Sequence, residues 1–260
     1  MALRVDVHQH LWTEPLLAAL GAREELPFAR RESGLTVLFL ADERPYAIVP
    51  AAEAAPMRRA LVADDGLDRA LVCLSSPLGI ESLPRAQATP LLDAYHDGAF
   101  ALGPPFGVWG AVALDAPDPA DVDRLLSRGC VGISLPAGAL AGTAELAHVR
   151  PLLRRIEGAE VPLLIHPGPG RRRVGSLQRA GVGPALDEPL WWPALTRYVA
   201  QINAAWMTFV AAARAEHPRL RAIFTMLAGL APLQAERLRS RGGPDGRARD
   251  RLIFYETSSY

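Results

Sequence analysis

The chain has 260 residues, half of them apolar, and its formal charges cancel. This suits one large α/β domain, excludes wide disorder, and leaves no global field to favour nucleic acid or an anionic membrane. All 28 basic residues are arginine, which excludes lysine Schiff-base chemistry. The two cysteines, Cys73 and Cys130, sit in separate apolar runs and read as buried free thiols in a reducing compartment. No apolar run reaches the ~18 residues of a membrane span, and no secretory signal is read at the start. A cytoplasmic protein is the expectation.

The first strand is predicted at 3–9, LRVDVHQ. Alternation there places Asp6, His8 and His10 on one face and Val5, Val7 and Gln9 on the other. Residues 11–52 separate this strand from the first helical pattern, at 53–64. They include GLTVLFLADERPYAIVP, which predicts an inserted β-hairpin turning around Asp42–Pro45. Further strands are predicted near 69–75, 106–114, 130–135, 161–166, 221–227 and 251–257. Helical patterns lie between them at 86–97, 119–128, 143–157, 195–216 and 232–240. The helix at 195–216 carries Tyr198, Ile202, Trp206, Phe209 and Ala213 on one stripe, the spacing of a packed face. A Gly/Pro/Arg-rich insertion at 167–193 is long enough for a functional lid.

Alternating β and α units imply a parallel sheet with helices outside it. Seven such strands point to a (β/α)8 TIM barrel that lacks its eighth strand in this chain, built as a single domain. The first β–α turn has no nucleotide-binding glycine fingerprint, which disfavours an open dinucleotide-binding sheet.

His8 and His10 fall at the C-terminal end of the first strand, where active sites of this fold lie. Two imidazoles on one strand face can reach one cation, or can form a hydrogen-bonded pair without metal. His166, in VPLLIHPGPG, ends a later strand in the same way. Three imidazoles converging at a barrel mouth suit Zn2+ or a similar first-row ion with an open coordination position. Trp12, two residues after His10, is a candidate pocket wall. His96, His148 and His217 sit in or at the ends of helical patterns and read as surface or capping residues. Arg171, followed by Arg172 and Arg173, could meet a substrate carboxylate bidentately or form a solvated basic loop. Trp191 and Trp192 read as packing residues or an aromatic wall.

The H-x-H of the first strand, CVGISL of the fourth, LLIHPG of the fifth, FTMLAGLAP of the sixth and YETSSY of the seventh resemble the amidohydrolase superfamily. The similarity is greatest to the amidohydrolase 2 branch, typified by aminocarboxymuconate-semialdehyde decarboxylase. It runs over nearly the whole chain. It implies one divalent ion, Zn2+ by expectation with Mn2+ as the alternative, and His8, His10 and His166 match the family's ligands. The family's remaining ligand is an Asp on an eighth strand, for which no residue here can be named. Where the family has a proton-handling His after its sixth strand, this chain has Met226. A thioether cannot take a proton from water, although it can fill a pocket. Glu256, at the end of the seventh strand, is then the candidate base or substitute ligand.

The resulting expectation is a hydrolase or decarboxylase that acts through a metal-bound water on a small carboxylate-bearing or cyclic substrate. A homodimer is open as its assembly. Two other readings stand beside it: a degenerate barrel that binds metal or ligand without turnover, and a metal-free binding protein.

Overall fold

The computed structural model describes residues 3–41, 43–171, 189, 191–243 and 250–257. Strand β1 (Val5–Gln9) is followed by helix α1 (Glu14–Gly21), then by β2 (Phe28–Glu32), β3 (Leu35–Phe39), β4 (Tyr46–Ile48) and α2 (Ala55–Asp64). Strands and helices then alternate as β5 (Arg69–Val72), α3 (Arg85–Ala101), β6 (Phe106–Ala111), α4 (Pro119–Ser127), β7 (Gly132–Pro136), α5 (Thr143–Gly158) and β8 (Leu163–His166). Next come α6 (Trp192–Leu195) and α7 (Arg197–Thr208), which runs through a π-helical turn at Phe209–Ala213 into α8 (Arg214–Glu216). The last elements are β9 (Ala222–Phe224), α9 (Ala235–Ser240) and β10 (Ile253–Tyr255).

Seven strands form one parallel sheet in the order β1-β5-β6-β7-β8-β9-β10. This is the sequential order of a (β/α)8 barrel, and each predicted barrel strand is present. One face of the sheet packs on the helices. Val72, Val108, Ile133, Ile165 and Phe224 meet Leu91, Leu125, Ile156, Trp206 and Phe209 in the main core. The other face holds a separate cluster of Leu71, Cys73, Trp109 and Leu164, with Val7, Val131 and Ile223 against it. This is the barrel interior. Trp109 is completely buried there. A Cβ on Gly132 would come within 2.6 Å of its ring, so the glycine makes room for the indole. Among the described residues, no helix is long and apolar enough to cross a membrane.

The inserted segment is richer than the predicted hairpin. Strands β3 and β4 pair antiparallel as expected, with Leu38 opposite Tyr46; Asp42 of the expected turn lies outside the described residues. Strand β2 adds a third member, with Phe28 opposite Phe39 and their rings stacked at 4.6 Å. Its sequence, FARRE, has mostly exposed residues and no apolar alternation, so it reads as loop until β3 supplies its partner. Helix α1 also went unpredicted. It spans only two turns, with Pro15 in its first turn and Leu16, Leu17 and Leu20 buried, too short for periodicity to stand out.

Two further expectations change. The helical pattern at 232–240 begins as a 3-10 turn that ends at Gln234 and continues as α-helix from Ala235. His96 is not at a surface: it is fully buried within α3, and its Nε2 accepts the Ala111 N–H at 3.0 Å, tying α3 to β6. His217 is also fully buried, with Nδ1 3.5 Å from a Glu157 carboxylate oxygen. His148 is half-buried and bonds the Leu114 carbonyl at 2.7 Å.

Trp109→Ala empties the interior face and is expected to cost about 3–5 kcal/mol, read as a lowered urea midpoint at unchanged slope.

Candidate metal centre

The register of β1 against β5 shifts between Asp6 and Gln9. A local irregularity of this kind re-aims the side chains that follow it. Unbroken alternation, with Val7 outward and Asp6 inward beside the histidines, therefore does not hold. Val7 joins the interior cluster. The Asp6 carboxylate instead accepts the His8 backbone N–H at 3.0 Å and the Gln9 side-chain amide at 2.7 Å. The displaced Val7 carbonyl accepts the Trp109 indole N–H at 2.9 Å, so the interior tryptophan satisfies the irregular strand just before His8.

His8, His10 and His166 are brought together as expected. Their ring centroids are 4.8 Å apart in every pair, each pair close to edge-on. His10 Nε2 lies 3.2 Å from His8 Nε2 and 3.0 Å from His166 Nε2. Each far ring nitrogen faces an acceptor. His10 Nδ1 is 3.1 Å from the Cys73 carbonyl, His166 Nδ1 is 2.7 Å from the Pro167 carbonyl, and His8 Nδ1 is 3.2 Å from Glu256 Oε2. A carbonyl or carboxylate oxygen only accepts, so each Nδ1 carries a proton, and a ring that is neutral then presents a lone pair at Nε2. Burial, followed by the His8 charge, pushes the His10 pKa down to about 3. Burial, then His10 and His8, holds His166 well below its ordinary value. His10 and His166, kept neutral by burial, point their Nε2 lone pairs at the centre of the cluster, and a cation is what this donor set fits. The three side chains could hold a metal ion.

Glu256 is placed differently from the expected base or ligand. It stands behind His8, on its Nδ1 side, with a largely buried side chain. A carboxylate there orients the imidazole and raises its basicity as a ligand. Its backbone is pinned too: Glu256 N–H donates to the Phe224 carbonyl at 2.9 Å, and its own carbonyl accepts from Leu227 N at 2.8 Å.

Met226 opens a left-handed stretch, with φ of 51°, 50°, 54°, 59° and 60° from Met226 to Leu230. Non-glycine residues in this region cost about 1–2 kcal/mol each. The stretch is held by the Leu227–Glu256 bond and by Gly229, where a Cβ would lie 2.4 Å from the Val199 carbonyl of α7. The Met226 side chain is half-buried against the main core.

Trp12 is half-buried and meets the Tyr46 ring edge-on at 6.1 Å, joining the H-x-H end of β1 to the inserted sheet. The tip of that sheet reaches α7, where the Tyr198 hydroxyl donates to Glu43. One turn further along α7, Gln201 Oε1 accepts the Gly168 N–H at 3.0 Å, so α7 also contacts the His166 turn. Arg171 is exposed and lines a recess with Glu145 and His148 of α5, on the rim. Arg172 and Arg173 lie outside the described residues, as does most of 167–193. Trp191 and Trp192 are exposed and contact each other at 5.5 Å.

Sequence reasoning missed the two carbonyl acceptors of Cys73 and Pro167, because backbone groups leave no mark in residue types. It also passed over Glu81, a fully buried carboxyl in the loop after β5. The signal was present: a lone acid within the apolar run SSPLGIESL.

No family model matches the sequence, and no curated protein matches it. Solved structures match its fold. IDCase of Metarhizium anisopliae superposes with a TM-score of 0.73 at 17% identity, over 92% of this chain and 68% of that one. An amidohydrolase II structure gives 0.64 at 12% identity, over 97% and 77%. The 5-carboxyvanillate decarboxylase of Novosphingobium aromaticivorans, complexed with manganese and 4-hydroxy-3-methoxy-5-nitrobenzoic acid, gives 0.61 at 17% identity, over 92% and 69%. The chain therefore has the barrel fold of the amidohydrolase and decarboxylase structures, at identities that establish the fold alone.

Lowered histidine pKa values carry a stability consequence. Between the ordinary value of 6.5 and the folded value of about 3, the unfolded chain binds the proton that native His10 does not. Stability is thus complete above pH 6.5 and lost as pH falls toward 3. The loss per buried histidine is at most about 1.4 kcal/mol per pH unit. Urea midpoints of metal-free protein between pH 7.5 and 4 are expected to show this fall, and His10→Asn to flatten it.

Proposed function

We propose that the protein is a metal-dependent enzyme of the decarboxylase and hydrolase type, acting on a small carboxylate-bearing substrate, with decarboxylation the favoured reaction. The observation that carries this is the convergence of three Nε2 lone pairs, each fixed by an acceptor at the opposite ring nitrogen. His8, His10 and His166 would hold the ion. Bound there, it would supply Lewis-acid polarisation of a substrate carboxylate or carbonyl. Mn2+ and Zn2+ both suit nitrogen ligands, and the manganese in the Novosphingobium enzyme supports trying Mn2+ first.

The chain's own residues have separable tasks. Glu256 and the Cys73 and Pro167 carbonyls orient the three rings. Trp12, two residues after His10, and its partner Tyr46 would offer aromatic surface suited to a planar ring. Decarboxylation is favoured over hydrolysis because Met226 occupies the expected proton-handling position and Glu256 stands behind a ligand. Hydrolysis needs a base that faces the attacking water.

Protein purified without chelator is expected to contain about one divalent ion per chain, by the three-histidine logic of such sites. It should release CO2 from hydroxylated benzoates when loaded with Mn2+ or Zn2+. His166→Ala should lose both the ion and the release. Absence of bound metal together with unchanged CO2 release in His166→Ala would refute this reading.

A second reading, metal binding without turnover, is favoured by Met226 itself. Met226→His is the discriminating variant, since histidine tolerates left-handed backbone better than most residues. A wild-type protein that binds metal but is inactive, with turnover gained in the variant, would support this reading over the first.

A further inference from the structure

The turn that presents His166 is packed backbone against backbone. A Cβ on Gly168 would lie 2.6 Å from Ser76 Cβ and 2.9 Å from the Ser76 carbonyl oxygen. One residue on, the Ser82 hydroxyl donates to the Pro169 carbonyl at 2.8 Å. Both serines belong to the loop that follows Cys73, whose carbonyl holds His10. One loop therefore supports two of the three imidazoles.

Glu81 sits inside this loop and is 1% exposed. Its Oε1 accepts the Ser76 hydroxyl at 2.6 Å, and Ser76 is itself fully buried. Its Oε2 is buried with no hydrogen-bond partner among the described residues. Its carbonyl accepts the Leu114 N–H at 2.7 Å, which anchors the loop to the end of the β6 segment. The titratable groups facing it are the Cys73 thiol at the end of β5 and the Tyr95 phenol of α3, both pushed up in part by its charge. Neither brings a positive charge. Burial pushes the Glu81 acid up to about 7, with Ser76 and its own backbone pulling the other way. A buried carboxyl without a cation is costly, and an apolar side chain of that size would not carry the cost. What the carboxyl does that an apolar side chain cannot is accept the Ser76 hydroxyl, and so tether the residue whose Cβ and backbone lie against Gly168.

We propose that Glu81 is a positioning residue of the imidazole cluster: through Ser76 it forms the strut on which the His166 turn rests. Its relevance to a metal rests on reading that cluster as a metal centre. The strut itself predicts a fixed ring orientation, and hence a single tautomer, at His166.

Two measurements on full-length protein test this. Chelator-stripped protein is titrated with Zn2+ against a chromophoric competitor, and the His166 tautomer is read in metal-free protein by long-range 1H–15N correlation. Glu81→Gln keeps an acceptor for Ser76 and is expected to bind within about twofold of wild type, with His166 protonated at Nδ1. Glu81→Leu and Ser76→Ala are expected to bind about tenfold more weakly and to show mixed His166 tautomers. Ser76→Ala removes a single hydroxyl and serves alone if Glu81→Leu does not fold. Wild-type affinity and an unchanged tautomer in Ser76→Ala overturn the proposal. So does a Glu81→Gln protein as weak as Glu81→Leu, because charge rather than the hydrogen bond would then be at work. If wild type binds no Zn2+, the metal reading fails, and the tautomer comparison decides on the strut by itself.

Discussion

Two imidazole nitrogens that both present lone pairs at 3.0 Å repel each other. The surrounding structure exists to hold them there. Proton-accepting oxygens behind each ring remove the tautomers that would let the rings bond to one another. Burial removes the doubly protonated forms that would push them apart. What remains is a trio of donors oriented for a cation, fixed by the residues that directly follow β5, β8 and β10.

Those supporting groups come from distant parts of the chain, and the parallel sheet brings them together. The end of β1 supplies His8 and His10, and β8 supplies His166. The backbone after β5 supplies one acceptor, and the residue after β10 supplies another. The order of the sheet places β1 and β10 at its two margins. The contact between His8 and Glu256 therefore links residues 248 positions apart and joins the first strand of the sheet to the last. Helix α7 adds a second tie across the mouth. It receives Glu43 from the inserted sheet near its start and touches the His166 turn one turn later.

Much of this was legible in the sequence because it depends on patterns of residue type. The seven barrel strands are short apolar runs separated by helical periodicity, and three histidines at strand ends are conspicuous in a chain with six. Other features escaped because they depend on backbone geometry or on partners remote in sequence. The register shift in β1 is invisible to alternation, yet it decides that Val7 and not Asp6 faces inward. Strand β2 has a charged sequence and becomes a strand only through β3. His96 looked superficial because it lies in a helix that is polar nearby, whereas its ring reaches beneath that helix to a β6 amide. Glu256 stands out in the sequence as a carboxylate at a strand end, but which side of a histidine it occupies is a matter of angstroms that spacing cannot supply.

The indole of Trp109 fills the barrel interior and is bonded to the strand just before the histidines. Passage along the barrel axis is therefore shut beneath the centre. The cavity that reaches His10 opens instead beside β1, between Asp6, Gln9 and Arg58 of α2. The inserted sheet, carrying Trp12's partner Tyr46 and the tie to Tyr198, is a bracket that fixes the first barrel strand and helix α7 to each other.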